Sequence, residues 1–339
     1  MSLPTLSEQQ QLDHLHGLAT QALEAWGLTG AELSLIKFRE NAVFCVKTPA
    51  GVRYALRIHR SGYHSEQSLR SELLWVDTLA REGIDVPRPI PSTTGKFLVK
   101  VNRSDDVRHV DLFAWIDGQQ LGNFETNSAP SPESVSETYT TIGQIAARLH
   151  NHTSQWTPPE NFERHAWDLE GLVGEHPFWG RFWELPVLSD AQRQLILEAR
   201  DAVHAGLLAY GQSESNYSMI HADFVPENLL IDGNQVRLID FDDAGFGWHM
   251  FEIATALYFI QPEPFYETAR SALLQGYQQE RPLTQQDLEA LPLFLAVRGF
   301  TYLGWVQSRQ ETETARELTP ELVELACKTA SQFLALRSQ

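Results

Sequence analysis

The sequence predicts an α+β protein of two lobes, and three observations support this prediction. The first third of the 339-residue chain is rich in short β-type runs and contains one helical pattern. The rest of the chain is dominated by helical spacing, with a single short β island. Strands and helices do not alternate regularly, as a parallel sheet would require. A chain of this length is more typical of two domains than of one, and we place the boundary at the Asp117-Gly118 step, which gives lobes of residues 1–117 and 118–339.

The first lobe is predicted to be a small antiparallel sheet with one helix. A Pro-Ala-Gly turn of hairpin length joins the second β-type run to the third. Apolar residues at helical spacing then begin at Leu69 and stop near Gly83, and they predict the helix. Two more β-type runs follow it. The five runs cover residues 32–38, 42–48, 53–59, 96–101 and 107–116.

The second lobe is predicted to be mainly helical. A loop at residues 122–132 precedes a helix that contains Ile142 and Leu149. Residues 195–208 form another helix, and three or four more follow from Ile253 onward. The β island interrupts these helices and contains an Asp-Gly-Asn hairpin turn. Its runs cover residues 219–220, 229–231 and 236–239.

Charge and hydropathy limit the partners that the protein can have. The chain has 26 basic and 44 acidic residues, and its net charge of −18 repels nucleic acids and anionic lipid surfaces. Residues 1–117 are almost neutral, so the excess acid lies in residues 118–339. No apolar run approaches the roughly 18 residues of a membrane helix, and the start lacks the pattern of a signal peptide. We therefore expect a cytoplasmic protein that binds a small molecule, with neither nucleic acid nor membrane as a partner.

The most specific motif lies in the β island. His221, Asp223 and Asn228 share one loop, and Asp240 ends a strand twelve residues after Asn228. Phosphoryl transfer requires such a set, because one carboxylate accepts the proton of the nucleophile while an amide and a second carboxylate hold the ions that neutralise the phosphates. The alternative is that these are ordinary turn residues, since Asp and Asn favour turns.

In this motif, HxDxxxxN followed by IDFDD, the chain resembles the aminoglycoside phosphotransferase and choline kinase branch of the protein-kinase-like superfamily. The resemblance implies a bilobal protein-kinase-like fold and an enzyme that uses ATP and Mg²⁺. It also implies residue roles: Asp223 is the catalytic base, Asn228 and Asp240 are magnesium ligands, and His221 braces the loop.

The first lobe offers an independent check on this interpretation. Kinases hold the α- and β-phosphates with a cation on the third strand, which pairs with a Glu on the following helix. Arg57 and Glu72 occupy these two places, with Arg in the place of the usual Lys. A guanidinium group can still bind phosphate and carboxylate. The alternative is a surface Arg on an edge strand and a solvated Glu.

Other nucleotide contacts are less specific. The turn of residues 38–41 lacks the glycines of a kinase phosphate loop, so Asn41 is a phosphate-loop candidate, and a plain hairpin turn is the alternative. Phe113 and Trp115 lie in the expected lobe connector, whose backbone binds adenine in the families that the chain resembles. A buried strand would give the same pattern. The sequence has no dinucleotide-binding, Walker, zinc-protease or serine-hydrolase motif.

Carboxylates and an aromatic ring near the catalytic base predict a cationic or zwitterionic acceptor, because carboxylates bind ammonium groups and aromatic faces attract them. Glu252 also fits the acid that stabilises a helix N-terminus, which is an equal alternative. The candidate acceptor contacts are Asp242, Asp243, Glu252 and Trp305.

For three more polar residues we predict a structural role rather than a role in ligand binding. Arg298 could bind a substrate carboxylate, but a salt bridge within the acidic lobe is the favoured prediction. His150 and His152 are predicted to be helix-cap or surface residues rather than ligands.

Together these observations predict an ATP-dependent phosphotransferase that moves the γ-phosphate to a hydroxyl group of a small, amine-bearing molecule. Acceptors of the aminoglycoside, homoserine, hydroxylysine and choline types are all compatible with the sequence, because function depends on the site rather than the fold. The alternatives are a bacterial Ser/Thr protein kinase of the stress-kinase type and an inactive nucleotide-binding module.

Overall fold

The structure is a computed structural model that describes residues 7–38, 41–121, 130–233 and 235–337. The chain divides into two compact units, and each is built from three separate segments. The first unit consists of Met1–Gly118, Pro158–Glu163 and Arg237–Asp242. The second consists of Gln119–Thr157, Arg164–Val236 and Asp243–Gln339. Arg39 and Glu40 of the predicted phosphate-loop turn, most of the predicted loop at 122–132, and Asn234 of the hairpin turn lie outside the described residues.

The first unit contains a five-stranded antiparallel sheet of order β1-β2-β3-β5-β4. Its strands are β1 (Glu32–Phe38), β2 (Ala42–Lys47), β3 (Arg53–Ile58), β4 (Val99–Arg103) and β5 (Asp106–Ala114). Its helices are α1 (Glu8–Ala22) and α2 (Glu66–Arg81). The predicted strands and the predicted helix α2 are all present, with ends that differ by a few residues.

Helix α1 is an addition to the one predicted helix. It begins at a capping box, in which the side chains of Ser7 and Gln10 bond each other's backbone N–H groups. Its apolar residues include Leu15 and Leu18, which are buried in one cluster with Phe44 of β2. The capping box and this i, i+3 spacing were both visible in the sequence, so α1 was predictable.

Side chains alternate between the two faces of the sheet, and this alternation sets the position of the polar residues. Leu56 and Ile58 of β3 point to the face covered by α1, so Arg57 between them points to the other face. Phe113 of β5 packs on that second face with Leu69 of α2. Functional side chains of β3 and β5 are therefore directed toward α2.

The second unit is mainly helical and includes two small sheets, of order β6-β9-β10 and β7-β11-β8. The helices are α3 (Pro132–Gln155), α4 (Leu169–Val173), α5 (Asp190–Tyr210), α6 (His249–Tyr258), α7 (Tyr266–Glu280), α8 (Gln285–Gln307) and α9 (Glu313–Arg337). The strands are β6 (Gln119–Gln120), β7 (Ala166–Trp167), β8 (Tyr217–Ile220), β9 (Leu229–Asp232), β10 (Gln235–Leu238), whose last two residues belong to the first unit, and β11 (Gly245–Trp248). None of the helices in the described ranges has both the length and the apolar composition to cross a bilayer.

Helices α3 and α7 cross with their backbones almost in contact. A Cβ atom at Gly143 would collide with the carbonyl group of Leu273, and one at Gly276 would collide with the carbonyl group of Thr140. Only glycine permits this approach. The crossing brings the C-terminal half of α3 against α7 and α6, where several buried polar groups meet.

Candidate active site

The loop that follows β8 carries the HxDxxxxN motif in a strained conformation. His221 is completely buried, and its Nδ1 accepts a hydrogen bond of 3.1 Å from the backbone N–H of Asp223. Ala222 between them has φ +64°, a left-handed conformation that costs a non-glycine residue roughly 1–2 kcal/mol. Such strain persists only where the surroundings impose it, and it concentrates at functional sites.

The carboxylate of Asp223 is held by two donors and remains accessible. Asn228 donates through Nδ2 to Asp223 Oδ2 at 2.7 Å and to the Asp223 carbonyl oxygen at 3.0 Å. Arg298 of α8 donates through Nη2 to Asp223 Oδ1 at 3.0 Å. The Asp223 side chain is nevertheless 24% exposed, so an oriented carboxylate faces solvent. Such a group can accept a proton from a bound molecule.

A buried network holds the strained peptide of this loop in place. Glu252 of α6 is completely buried, and its Oε2 accepts a 2.6 Å hydrogen bond from the N–H of Ala222. Its Oε1 lies 3.0 Å from Nε2 of His150, whose Nδ1 lies 2.8 Å from the hydroxyl of Tyr277. The network therefore connects the loop to helices α3 and α7.

The first unit contains a buried ion network around Arg57. Its Nη2 donates to Glu72 at 2.7 Å, so the predicted cation–carboxylate pair is present. Nη2 and Nε also donate to Asp111 of β5 at 2.7 and 3.2 Å, and Asp111 accepts a 2.7 Å bond from Nε2 of His59. Burial alone would lower the pKa of His59, but the charge of Asp111 outweighs it and raises that pKa to about 9. His59 is therefore a second cation at neutral pH.

Two carboxylates of the IDFDD run lie beside these cations within the first unit. Asp240 has φ +66°, and its Oδ1 lies 3.8 Å from Nη1 of Arg57. Asp242 Oδ1 lies 3.8 Å from Nη1 of Arg57, from Nδ1 of His59 and from Nε2 of His64. Burial alone would raise the pKa of Asp242, yet these cations hold it well below its ordinary range.

Asp240 has the properties of a metal ligand. Its Oδ1 is buried, and no residue in the described part of the chain donates a hydrogen bond to it. Burial raises its pKa against the opposing charge of Arg57, and the charge of Asp242 adds to the rise. A divalent cation would supply the missing partner, and carboxylate oxygen is the ligand that Mg²⁺ prefers. Asp240 therefore offers a carboxylate oxygen to which a divalent cation could bind.

A family model described as "Phosphotransferase enzyme family" (APH) matches residues 34–290, which include both the ion network and the HxDxxxxN loop. The chain belongs to the APH phosphotransferase family. This confirms the prediction of a kinase-type phosphotransferase with a protein-kinase-like fold.

Several similar proteins are named as kinases of small molecules. Amicoumacin kinase of Bacillus subtilis (strain 168) is 22% identical over 326 residues, which cover 93% of this chain and 91% of that protein. Homoserine kinase of Methylobacillus glycogenes is 27% identical over 267 residues, which cover 77% and 74%. The structure of a microcompartment-associated aminopropanol kinase matches with a TM-score of 0.83 and 30% identity, over 94% of this chain and 98% of that one.

The candidate nucleotide contacts of this APH chain have structural partners in the first unit. Asn41 Oδ1 accepts a 2.9 Å hydrogen bond from the backbone N–H of Arg60, which is the role of a turn residue. The ring of Phe113 lies 5.1 Å from the guanidinium carbon of Arg57. The ring of Trp115 lies 4.9 Å from the guanidinium carbon of Arg53. Of these residues, Phe113 is therefore the one directly beside the proposed phosphate-binding cation.

The four candidate acceptor contacts lie in different surroundings. Glu252 is completely buried and binds the loop that carries the HxDxxxxN motif, and Asp242 belongs to the ion network of the first unit. The backbone carbonyl of Asp243 accepts hydrogen bonds from Nε1 of Trp167 and from Nε2 of His165. Trp305 lies on α8. Asp243 and Trp305 are both half-buried in the second unit.

The predicted cap or surface position of His150 is wrong, and the predicted salt bridge of Arg298 is present. His150 does not cap its helix or lie at the surface: α3 continues to Gln155, so His150 lies within the helix and is completely buried against Glu252. Arg298 forms a salt bridge, as favoured from the sequence, and its partner is Asp223 itself.

Sequence reasoning missed Asp111 and His59. Asp111 lies in the apolar run Val110-Asp111-Leu112 of β5, directly opposite Arg57 of β3. A charged residue on a strand between two apolar neighbours was the available signal. Its partner could not be found, because the two residues are 54 positions apart and the strand register was unknown.

Replacing Glu252 with Gln should change the pH dependence of stability. Burial raises the pKa of Glu252 from 4.5 to about 7, so the folded protein holds a proton there that the unfolded chain releases. The contribution of protonated Glu252 to the free energy of unfolding is fully present below pH 4.5 and is lost as the pH rises through about 7. Relative to Glu252→Gln, the wild type should lose roughly 3 kcal/mol of unfolding free energy across this window.

Urea unfolding of both proteins at several values between pH 4.5 and 8 measures this effect. Other titrating groups cancel in the difference between the two unfolding free energies. A difference that stays constant with pH would show that Glu252 does not titrate in this range.

Proposed function

We propose that this APH phosphotransferase transfers the γ-phosphate of ATP to a hydroxyl group of a small, amine-bearing molecule. The observation that carries the proposal is the carboxylate of Asp223, which is fixed by two donors on a strained and braced loop yet open to solvent. Phosphoryl transfer depends mainly on positioning and electrostatic stabilisation, and a rigidly held base provides the first of these.

The relatives support an acceptor with an amine and a hydroxyl group. Homoserine and aminopropanol both carry these two groups. The matches of this chain to the kinases named after them cover at least 74% of the length of each kinase. One solved amicoumacin kinase, 20% identical to this chain, is described in complex with AMP-PNP and Ca²⁺. A nucleoside triphosphate bound together with a divalent cation is therefore the expected phosphate donor.

Each residue has a proposed role in the reaction. Asp223 accepts the proton of the acceptor hydroxyl as the hydroxyl oxygen attacks the γ-phosphorus of ATP, the bond from that phosphorus to the β,γ-bridging oxygen breaks, and ADP leaves. His221 holds the loop. Asp240 and Asn228 would hold Mg²⁺, which neutralises charge on the phosphates when bound. Arg57, oriented by Glu72 and Asp111, provides the phosphate-binding cation.

The excess of negative charge in residues 118–339 supports an acceptor that carries positive charge, because a protein surface of opposite charge raises the local concentration of a ligand. Asp243 and Trp305 are the proposed contacts for its amine. We further propose that residues 1–117 form the ATP-binding lobe and that residues 118–339 bind the acceptor.

A panel of acceptors tests the proposal. Amino alcohols, hydroxy amino acids, aminoglycosides and choline are each incubated with the protein, ATP and Mg²⁺, and phosphorylated products are identified by ³¹P NMR and mass spectrometry. Matched compounds that lack the hydroxyl group or the amine serve as controls. The expected result is an O-phosphorylated amine. Phosphate transfer to Ser/Thr peptides alone, or ATP binding without any transfer, would overturn the proposal.

A further inference from the structure

Arg298 of the second unit has a position that stability alone does not explain. It lies in the middle of α8, within an almost uninterrupted run of buried residues from Ala290 to Gly304, and its side chain is completely buried. Moving a guanidinium ion out of water is costly, and a buried ion pair is seldom more stabilising than apolar residues of similar volume. A role other than stability would account for it.

Three aromatic rings surround this guanidinium. Its central carbon lies 4.2 Å from the ring of Tyr302, and 5.4 Å from those of Trp179 and Phe251. Nε and Nη1 have no hydrogen-bond acceptor among the described residues, so cation–π attraction to these rings replaces hydrogen bonds on that side. The rings restrict the guanidinium to one position.

The remaining nitrogen connects this cage to the catalytic loop. Nη2 donates to the hydroxyl of Tyr302 at 2.8 Å and to Oδ1 of Asp223 at 3.0 Å. Oδ2 of Asp223 is bound by Asn228, which lies on the same loop. The two carboxylate oxygens therefore have donors on different elements, and rotation of the carboxylate would break both bonds.

We propose that Arg298 is a positioning residue of the transfer reaction, which fixes the Asp223 carboxylate toward the acceptor hydroxyl. This rests on the proposed function of Asp223. An ion-paired carboxylate is a weaker base, but in phosphoryl transfer positioning contributes more than proton abstraction, so fixed geometry is the larger gain. In this role Arg298 acts through Asp223 and contacts neither the acceptor nor ATP.

A double-mutant cycle tests this dependence. Arg298→Met keeps much of the side-chain length without charge, and it should lower kcat about 100-fold, with the KM of ATP and of the acceptor changed by less than about threefold. In an Asp223→Ala background the same substitution should lower the residual rate less than about threefold, because the side chain that Arg298 positions is already absent. Arg298→Lys, which keeps the charge without the planar fork, should give an intermediate kcat.

Arg200→Met is the matched control. Arg200 also combines a carboxylate partner, Glu175, with an aromatic face, that of Trp183, and it lies on α5. The kcat of the Arg200→Met variant should equal that of the wild type. Circular dichroism and thermal unfolding establish that each variant is folded, and Arg298→Lys replaces Arg298→Met in the cycle if the latter does not fold.

The outcomes separate this inference from the proposed function. An equal loss of rate in both backgrounds, a raised KM with unchanged kcat, or full activity of folded Arg298→Met would overturn the positioning role while the wild type remains a kinase. Failure of the wild type to phosphorylate any acceptor would overturn the proposed function, and the positioning role with it.

Discussion

Asp223→Asn should lower kcat by about 10²–10⁴-fold, the usual contribution of a positioned general base. The Asn side chain has the same shape, and its oxygen can still accept the hydrogen bond from Arg298. Its amide cannot accept a proton from the acceptor hydroxyl, so binding of ATP and acceptor should change much less than kcat. Steady-state kinetics with the acceptor identified by the panel measure both parameters.

The matched control is Asp201→Asn, which removes an exposed carboxylate of α5 in the same unit. It should retain wild-type kcat and KM. If Asp223→Asn transferred phosphate at the wild-type rate in a folded protein, Asp223 would not be the base.

Asp240→Asn should lower kcat by more than about 100-fold, because even outer-shell partners of a metal commonly contribute 10–100-fold. Asn is preferred to Ala here because Asp240 has φ +66°, a conformation that Asn tolerates and that costs Ala roughly 1–2 kcal/mol. The amide keeps one ligand oxygen but loses the charge that attracts Mg²⁺. Titration of kcat with Mg²⁺ should show a higher concentration at half-maximal rate than in the wild type.

Asp232→Asn is the control for this second prediction, since Asp232 is an exposed carboxylate at the end of β9. Its magnesium dependence should match that of the wild type. An unchanged magnesium dependence in Asp240→Asn would remove Asp240 from the set of metal ligands.

Features encoded over short distances could be predicted from the sequence. The strands of the first unit follow from β-type runs and a hairpin turn, and the HxDxxxxN spacing places Asn228 within reach of Asp223 on one loop. In each case the interacting residues lie within a few positions of each other, so spacing alone carries the information.

Partners that are distant in sequence could not be predicted. Arg298 and Asp223 are 75 positions apart, and His150 and Glu252 are 102 positions apart. Both pairs depend on how helices pack, which a single sequence does not specify. The prediction of a surface position for His150 was wrong for this reason: the glycine-mediated crossing of α3 and α7 buries that end of α3.

The discontinuous first unit limits how this enzyme can be divided or recombined. A gene fragment that encodes residues 1–118 would lack Arg237–Asp242, and with it Asp240 and Asp242 beside Arg57. It would also lack Phe241, whose ring packs edge-on against that of the buried Trp75 at 5.5 Å. Such a fragment would expose apolar surface and would lose two of the carboxylates beside Arg57, while Glu72 and Asp111 would remain. Exchange of first units between family members therefore requires Pro158–Glu163 and Arg237–Asp242 to be transferred together with the first 118 residues.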